Sequence, residues 1–188
     1  MRSKQMPVVI VAIIFFIISL LPANVFGQEQ NLQQRTREIV TEFNKTKHKV
    51  KEKHGIRVEA YVEVRSEAAV KRPEDYAGVY RMDGNGPALE LRISANGAVE
   101  GKGEDAERLE FTLNNGRITG ALLTATKIYT NGKSEKFEGV FINRTIRSGK
   151  SPADAVENGT TFGLGVVGQQ ITIANNIYSG RVFYERQR

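Results

Sequence analysis

Ile56, Val58, Ala60, Val62 and Val64 alternate with Arg57, Glu59, Tyr61, Glu63 and Arg65. A period of two predicts a strand with one apolar face. From Asp75 onward the same rule repeats: five to eight alternating residues, then a turn containing glycine. Leu89, Leu91 and Ile93 form one apolar row, Leu109, Phe111 and Leu113 another, and Phe137 and Phe141 flank Gly139 in a third. Asn96-Gly97, Asn115-Gly116 and Asn131-Gly132 mark successive corners, since Asn-Gly is a strong short-range hairpin signal. After a polar connection over 147–160, the segments 161–167, 170–174 and 178–186 read as the last strands. Counted from Ala77, about nine short strands predict an antiparallel barrel or sandwich. Gly101, Gly103, Gly120, Gly139, Gly163 and Gly165 fall within strand patterns. Strand glycines mark tight bends, which favours the barrel.

Residues 31–54 contain no Gly or Pro, and Leu32, Ile39, Val40, Phe43 and Val50 recur at helical spacing. Asn31 suits the N-cap and Gly55 the C-terminal stop, so this stretch predicts one amphipathic helix. The expected fold class is therefore mainly β, an antiparallel meander barrel of about eight to nine strands preceded by one α-helix.

Gly78-Val79-Tyr80 in the first barrel strand, followed by hairpins with Gly97-Ala98-Val99-Glu100-Gly101, resembles the calycin group of lipocalin-like and avidin-like barrels. The resemblance covers about 76–188 and rests on short motifs. It implies an up-and-down barrel and a habit of holding small ligands in the barrel mouth. Tyr80 stands where those families have Trp, and the chain has no Trp, so the resemblance does not extend to a biotin cage.

At the N-terminus, Arg2 and Lys4 precede the uncharged run Val8–Leu21, and Pro22 and Val25-Phe26-Gly27 follow it. A positive head, a short apolar body and a small-residue tail read as an export signal, cleaved before Gln28. The alternative is an uncleaved N-terminal anchor. The expected organisation is 1–27 signal peptide, 28–74 basic helical arm with one strand and a linker, and 75–188 barrel. The expected location is periplasmic or secreted, in a bacterial envelope, because an exported chain without cysteine lacks the disulfides usual in eukaryotic secreted modules.

Charge sharpens the reading of the arm. Removing 1–27 takes away two cations and no acid, lowering the formal charge from +6 to +4. All of that +4 lies in 28–72, with 11 cations against 7 acids, while 73–188 holds 14 of each. Lys45, Lys47, Lys49, Lys51 and Lys53 are candidates for contact with an anionic surface, although on a helix steps of two scatter around the cylinder.

Candidate chemistry is scarce. The chain has no Cys and two histidines, His48 and His54, which are not on one helical face. No metal site, cofactor or catalytic residue is assigned. Gly163-Leu164-Gly165-Val166-Val167-Gly168 matches GxGxxG, but β-like sequence follows it where a dinucleotide site requires a helix. Glu104, Asp105 and Glu107 cluster in what reads as an exposed turn. Whether the chain is an enzyme stays open, with the balance against it. The expected function is an exported non-enzymatic binding module whose barrel holds an apolar or amphipathic ligand, lined by Tyr80, Tyr129, Phe141 and Tyr178. The alternative is an envelope interaction protein that contacts an anionic surface through the basic helix. The partners in view are a small apolar ligand or an envelope protein or polymer, with peripheral membrane contact open and nucleic acid excluded by export. The outer rows, with Glu90, Arg92, Glu100, Lys102 and Glu138, read as wet, unlike the lipid-facing wall of an outer-membrane barrel.

Overall fold

The computed structural model describes residues 23–44, 49–53, 56–66, 72–150, 153–173 and 176–188. The elements are α1 (Ala23–Asn44), β1 (Lys49–Lys53), β2 (Ile56–Ser66), a 3-10 turn (Pro73–Tyr76), β3 (Gly78–Met82), β4 (Ala88–Ile93), β5 (Ala98–Glu104), β6 (Glu110–Thr119), β7 (Leu122–Tyr129), β8 (Ser134–Gly149), β9 (Val156–Ile173) and β10 (Asn176–Arg186). Two compact units, 1–34 and 35–188, divide within α1. The described part of the first, 23–34, is helical. The leader reading lies outside the described residues as far as residue 22, and the expected cleavage point before Gln28 falls inside the span of α1. No helix among the described residues is long and apolar enough to cross a membrane.

Strands β3 to β10 form a closed eight-stranded antiparallel barrel. Each strand pairs with the next in sequence, and β10 returns to β3 through Tyr184↔Met82, Glu185↔Arg81 and Arg186↔Tyr80. Closure leaves the ring no free edge. The alternation read in the sequence puts Tyr80, Leu89, Leu91, Ile93, Phe111, Leu113, Phe137 and Phe141 in the core. Large apolar side chains meet there from every strand, and their removal from water is the main force holding the ring.

Strand β8 is longer than the ring needs. Its first half pairs with β7, and residues 142–149 on the same edge pair with β2, which lies outside the ring. The outward residues Val140 and Ile142 are fully buried, so this wall is covered on both faces. The cover is the last part of α1. Ile39 and Phe43 are buried, and a Cβ on Gly165 would fall 2.8 Å from the Phe43 ring. Arg35 donates to Glu138 Oε2 at 2.8 and 3.2 Å. Asn44 pairs with the backbone of Val64 as a strand residue would, accepting from its N–H at 2.8 Å and donating to its carbonyl at 3.1 Å. The Arg181 guanidinium donates to the carbonyl of Glu42, a cation at the negative end of the helix. These contacts give the C-terminal part of α1 the tertiary packing from which most helix stability in proteins comes.

Several local expectations are corrected. The helix stops at Asn44, well short of residue 54. Residues 49–53 are a strand instead, because Lys-Val-Lys-Glu-Lys alternates and pairs with Ile56–Ala60 in register Lys51↔Val58. Asn115-Gly116 is no corner: Asn115 has φ 53° and the pair forms a bulge within β6, while the chain turns at Gly120-Ala121. Asn96-Gly97 and Asn131-Gly132 are corners, but only their glycines are left-handed, at φ 81° and 84°. The turns close by Ser94 N–H to Ala98 O and Tyr129 N–H to Lys133 O, which makes three-residue loops. The expected polar connection over 147–160 shrinks to 150–155, since β8 and β9 pair through Arg147↔Glu157 and Ser148↔Val156. Segments 161–167 and 170–174 merge into one strand, β9, because Gly168 at φ 73° absorbs an extra residue without ending it. Glu138, expected to be wet, is buried beneath α1. Burial raises its pKa, but hydrogen bonds from Lys136 and Arg35 outweigh that and hold the carboxyl below its ordinary range.

Candidate functional site

Two aromatic groups pack on the inward face of the ring. At one end Tyr76 stacks on Phe141 at 4.2 Å, Phe162 lies 6.1 Å from Phe141, and Tyr80 tilts against Phe141 at 6.0 Å. The Tyr80 hydroxyl donates to the Tyr76 carbonyl, and burial pushes its pKa far up. Arg186 closes this end, donating to the carbonyls of Asp75 at 2.9 Å and Ala77 at 2.8 Å. Tyr80 and Phe141 are thus both fully buried in one cluster of the protein's own side chains.

Tyr129 belongs to the second group, with Phe111 at 6.2 Å, and Phe137 lies 6.4 Å from Phe111. Inside this group lies Lys127, which is 1% exposed. Strand alternation carries it there: it follows Leu123 and Ala125 on the inward row of β7. Its ammonium lies 4.4 Å from the Phe111 ring centre and 4.5 Å from that of Tyr129, positions that cation–π attraction favours. It donates to the Tyr129 hydroxyl at 2.6 Å and meets Glu135 at 3.2 Å, and that hydroxyl donates to Glu135 at 2.9 Å. Burial lowers the Lys127 pKa, with Glu135 pulling the other way. Burial and then Glu135 raise that of Tyr129. Asp105 lies close enough to act on both and is buried, contrary to the exposed turn expected. Its carboxylate accepts from the backbone N–H of Glu107 and Leu109, shaping the loop between β5 and β6.

Outside the same wall, over β3 to β7, lies a cleft of about 520 Å³. Val79, Ala88, Phe111, Ile128 and Tyr129 give it apolar lining, with Gly103 between them. Glu90, Lys102, Glu104 and Glu110 supply its charge. Cross-strand register explains the set: Val79↔Glu90, Glu90↔Lys102, Lys102↔Thr112 and Thr112↔Ile128 form one outward row across five strands. At Gly103 a Cβ would meet the Ala88 carbonyl at 2.7 Å and the Phe111 ring at 3.1 Å, so glycine lets the strands close up here. Val79 is 42% exposed, well above the buried inward rows.

Of the residues picked from sequence, Tyr80 and Phe141 come together, Tyr129 sits in the other group and borders the outer cleft, and the side chain of Tyr178 lies outside the described residues. Lys45 and Lys47 also lie outside them, as do the side chains of Lys49, Lys51 and Lys53, whose backbone forms β1. The GxGxxG run sits within β9, not between a strand and a helix. Sequence reasoning missed Lys127 and the cleft. The inward parity of Lys127 was readable from Leu123, Ala125 and Tyr129. The cleft depends on register across five strands, which no single segment encodes.

No protein-family model matches the chain, and comparison with curated proteins and with solved structures finds no significant match.

Proposed function

We propose that this chain is an exported, non-enzymatic binding protein of calycin-like architecture that takes a small amphipathic ligand on the outer wall of its barrel. The up-and-down order of the eight strands and Gly78-Val79-Tyr80 at their start support the calycin-like reading. The observation that carries the binding site is the cleft of about 520 Å³ with apolar lining and a charged margin, a size typical of small-molecule sites. The two aromatic clusters favour this place over the barrel interior, since ring and aliphatic side chains already occupy the inward rows. A second reading, contact with an anionic envelope surface through 45–53, rests on the five lysines that recur there at every second position of the sequence.

Titration with a neutral fluorescent hydrophobe, N-phenyl-1-naphthylamine, tests the first reading. Saturable binding at one site per chain is expected. Ile128→Arg, which puts a charge in the cleft, abolishes it while circular dichroism stays unchanged. Absence of saturable binding, or binding indifferent to Ile128→Arg, would overturn the proposal.

A further inference from the structure

We infer that the cleft selects an organic cation, an ammonium or guanidinium group carried on an apolar body, and that Glu110 receives its charge. The inference rests on the cleft being the ligand site and adds the chemical class of the ligand. The outward lining holds three carboxylates, Glu90, Glu104 and Glu110, against one ammonium, Lys102. Two of the carboxylates are satisfied. Glu90 receives Lys102 at 3.2 Å and Arg92 at 3.2 Å, which hold its pKa below the usual range. Glu104 meets Arg108 at 3.0 Å. Glu110 makes no ion pair among the described residues and is exposed.

The placement of Glu110 adds a second argument. It stands directly opposite Glu104 in the β5–β6 ladder. Like charges directly opposite each other destabilise a sheet. The pair sits at the end of the strands, where the outward row continues toward Thr130, whose N–H donates to the Glu110 carbonyl. A cation placed there would relieve the repulsion, while its apolar body would lie along Ile128 and Val79 in the same cleft. An anion placed there would meet both carboxylates. The Lys127 ammonium already lies against the rings of Phe111 and Tyr129, so the charge of the ligand belongs at the glutamates and not over those rings.

Calorimetric titration of the full chain with three amphiphiles sharing an octyl tail tests this: octyltrimethylammonium, octyl glucoside and octyl sulfate. The cation should bind roughly tenfold more tightly than the sulfate at low salt, with the neutral glucoside between. Glu110→Gln should weaken the cation by about three- to fivefold, leave the glucoside unchanged, and raise the melting temperature by removing the like-charge pair. Equal binding of all three overturns the cation inference and leaves the cleft as a site for apolar tails. An unchanged cation affinity in Glu110→Gln also overturns it. Failure of all three to bind removes the cleft itself, and this inference with it.

Discussion

Gly163→Ala lowers the stability of the barrel by about 3 kcal/mol, near the upper end of the cost of overpacking a core. Gly163 lies in β9 between Ile142 of β8 and Glu185 of β10. A Cβ there would collide with the Tyr184 carbonyl oxygen and fall 2.7 Å from the Phe183 ring. The first obstacle is backbone, so no rotamer change relieves it. Tyr184 also pairs with Met82 of β3, and a shift of β10 therefore strains the seam that closes the ring. For a domain of this size the loss corresponds to a drop in melting temperature of roughly 10 °C. Gly132→Ala is the control. It also adds a methyl group, but at a turn where nothing lies within 4 Å, so only its left-handed φ of 84° is penalised. That strain is worth about 1 kcal/mol. Urea melts of both variants measure the difference, and equal losses would show that crowding at Gly163 is not the cause.

The second large effect concerns the lysine inside the ring. Lys127→Met costs about 3 kcal/mol, because removing one member of a buried ion pair strands the other. Glu135, whose side chain is 17% exposed, would lose its cation in a site that water reaches poorly. Lys127→Met combined with Glu135→Leu recovers most of the loss, since an apolar replacement of the whole pair removes both desolvation penalties. Asp105 remains beside the Tyr129 hydroxyl in the double variant. Burial holds the pKa of Lys127 below its ordinary 10.5, so the unfolded chain binds the proton more strongly than the folded one. The lysine contribution to stability therefore grows as pH rises through the window between the folded value and 10.5, and is lost as pH falls through the folded value. Denaturant melts between pH 7 and pH 10 should show that gain in the wild type and a smaller one in Lys127→Met. If the single and double variants were equally destabilised, the pair would not be the unit that matters.

The contrast between these two residues shows what a sequence reveals of such a fold. Alternation is local, so the inward rows from Leu89 to Phe141 were readable residue by residue, and the barrel followed from them. Asn115-Gly116 misled because the same dipeptide serves a bulge, with Asn115 left-handed, and the corners at 97 and 132, where the glycine is left-handed; only the partner strand distinguishes them. Lys49–Lys53 fitted a helix as well as a strand until its pairing with β2 decided the matter. The long strands β8 and β9 stayed hidden because their outer halves are polar, and polar alternation resembles a loop. The tyrosines drew attention as ring-bearing polar groups, yet Tyr80 uses its hydroxyl on the Tyr76 carbonyl and packs as core. The cleft is farther still from the sequence. Its lining comes from five strands, and Glu104 meets Glu110 only through the register of the loop that Asp105 shapes.

Both the buried aromatic clusters and the outer cleft follow from the ring closing between its first and last strands. The chain contains no cysteine, so a single engineered pair reports on that seam without interference. Arg81 and Glu185 face each other across β3 and β10. Directly opposed residues in an antiparallel pair have Cα atoms about 4.5–5.5 Å apart, within disulfide reach. Intact mass of Arg81→Cys/Glu185→Cys after mild oxidation should show a quantitative disulfide within one chain, formed without loss of the native circular dichroism. Thiols that stay free, or link only between chains, would mean that β3 and β10 do not meet and that the barrel is open.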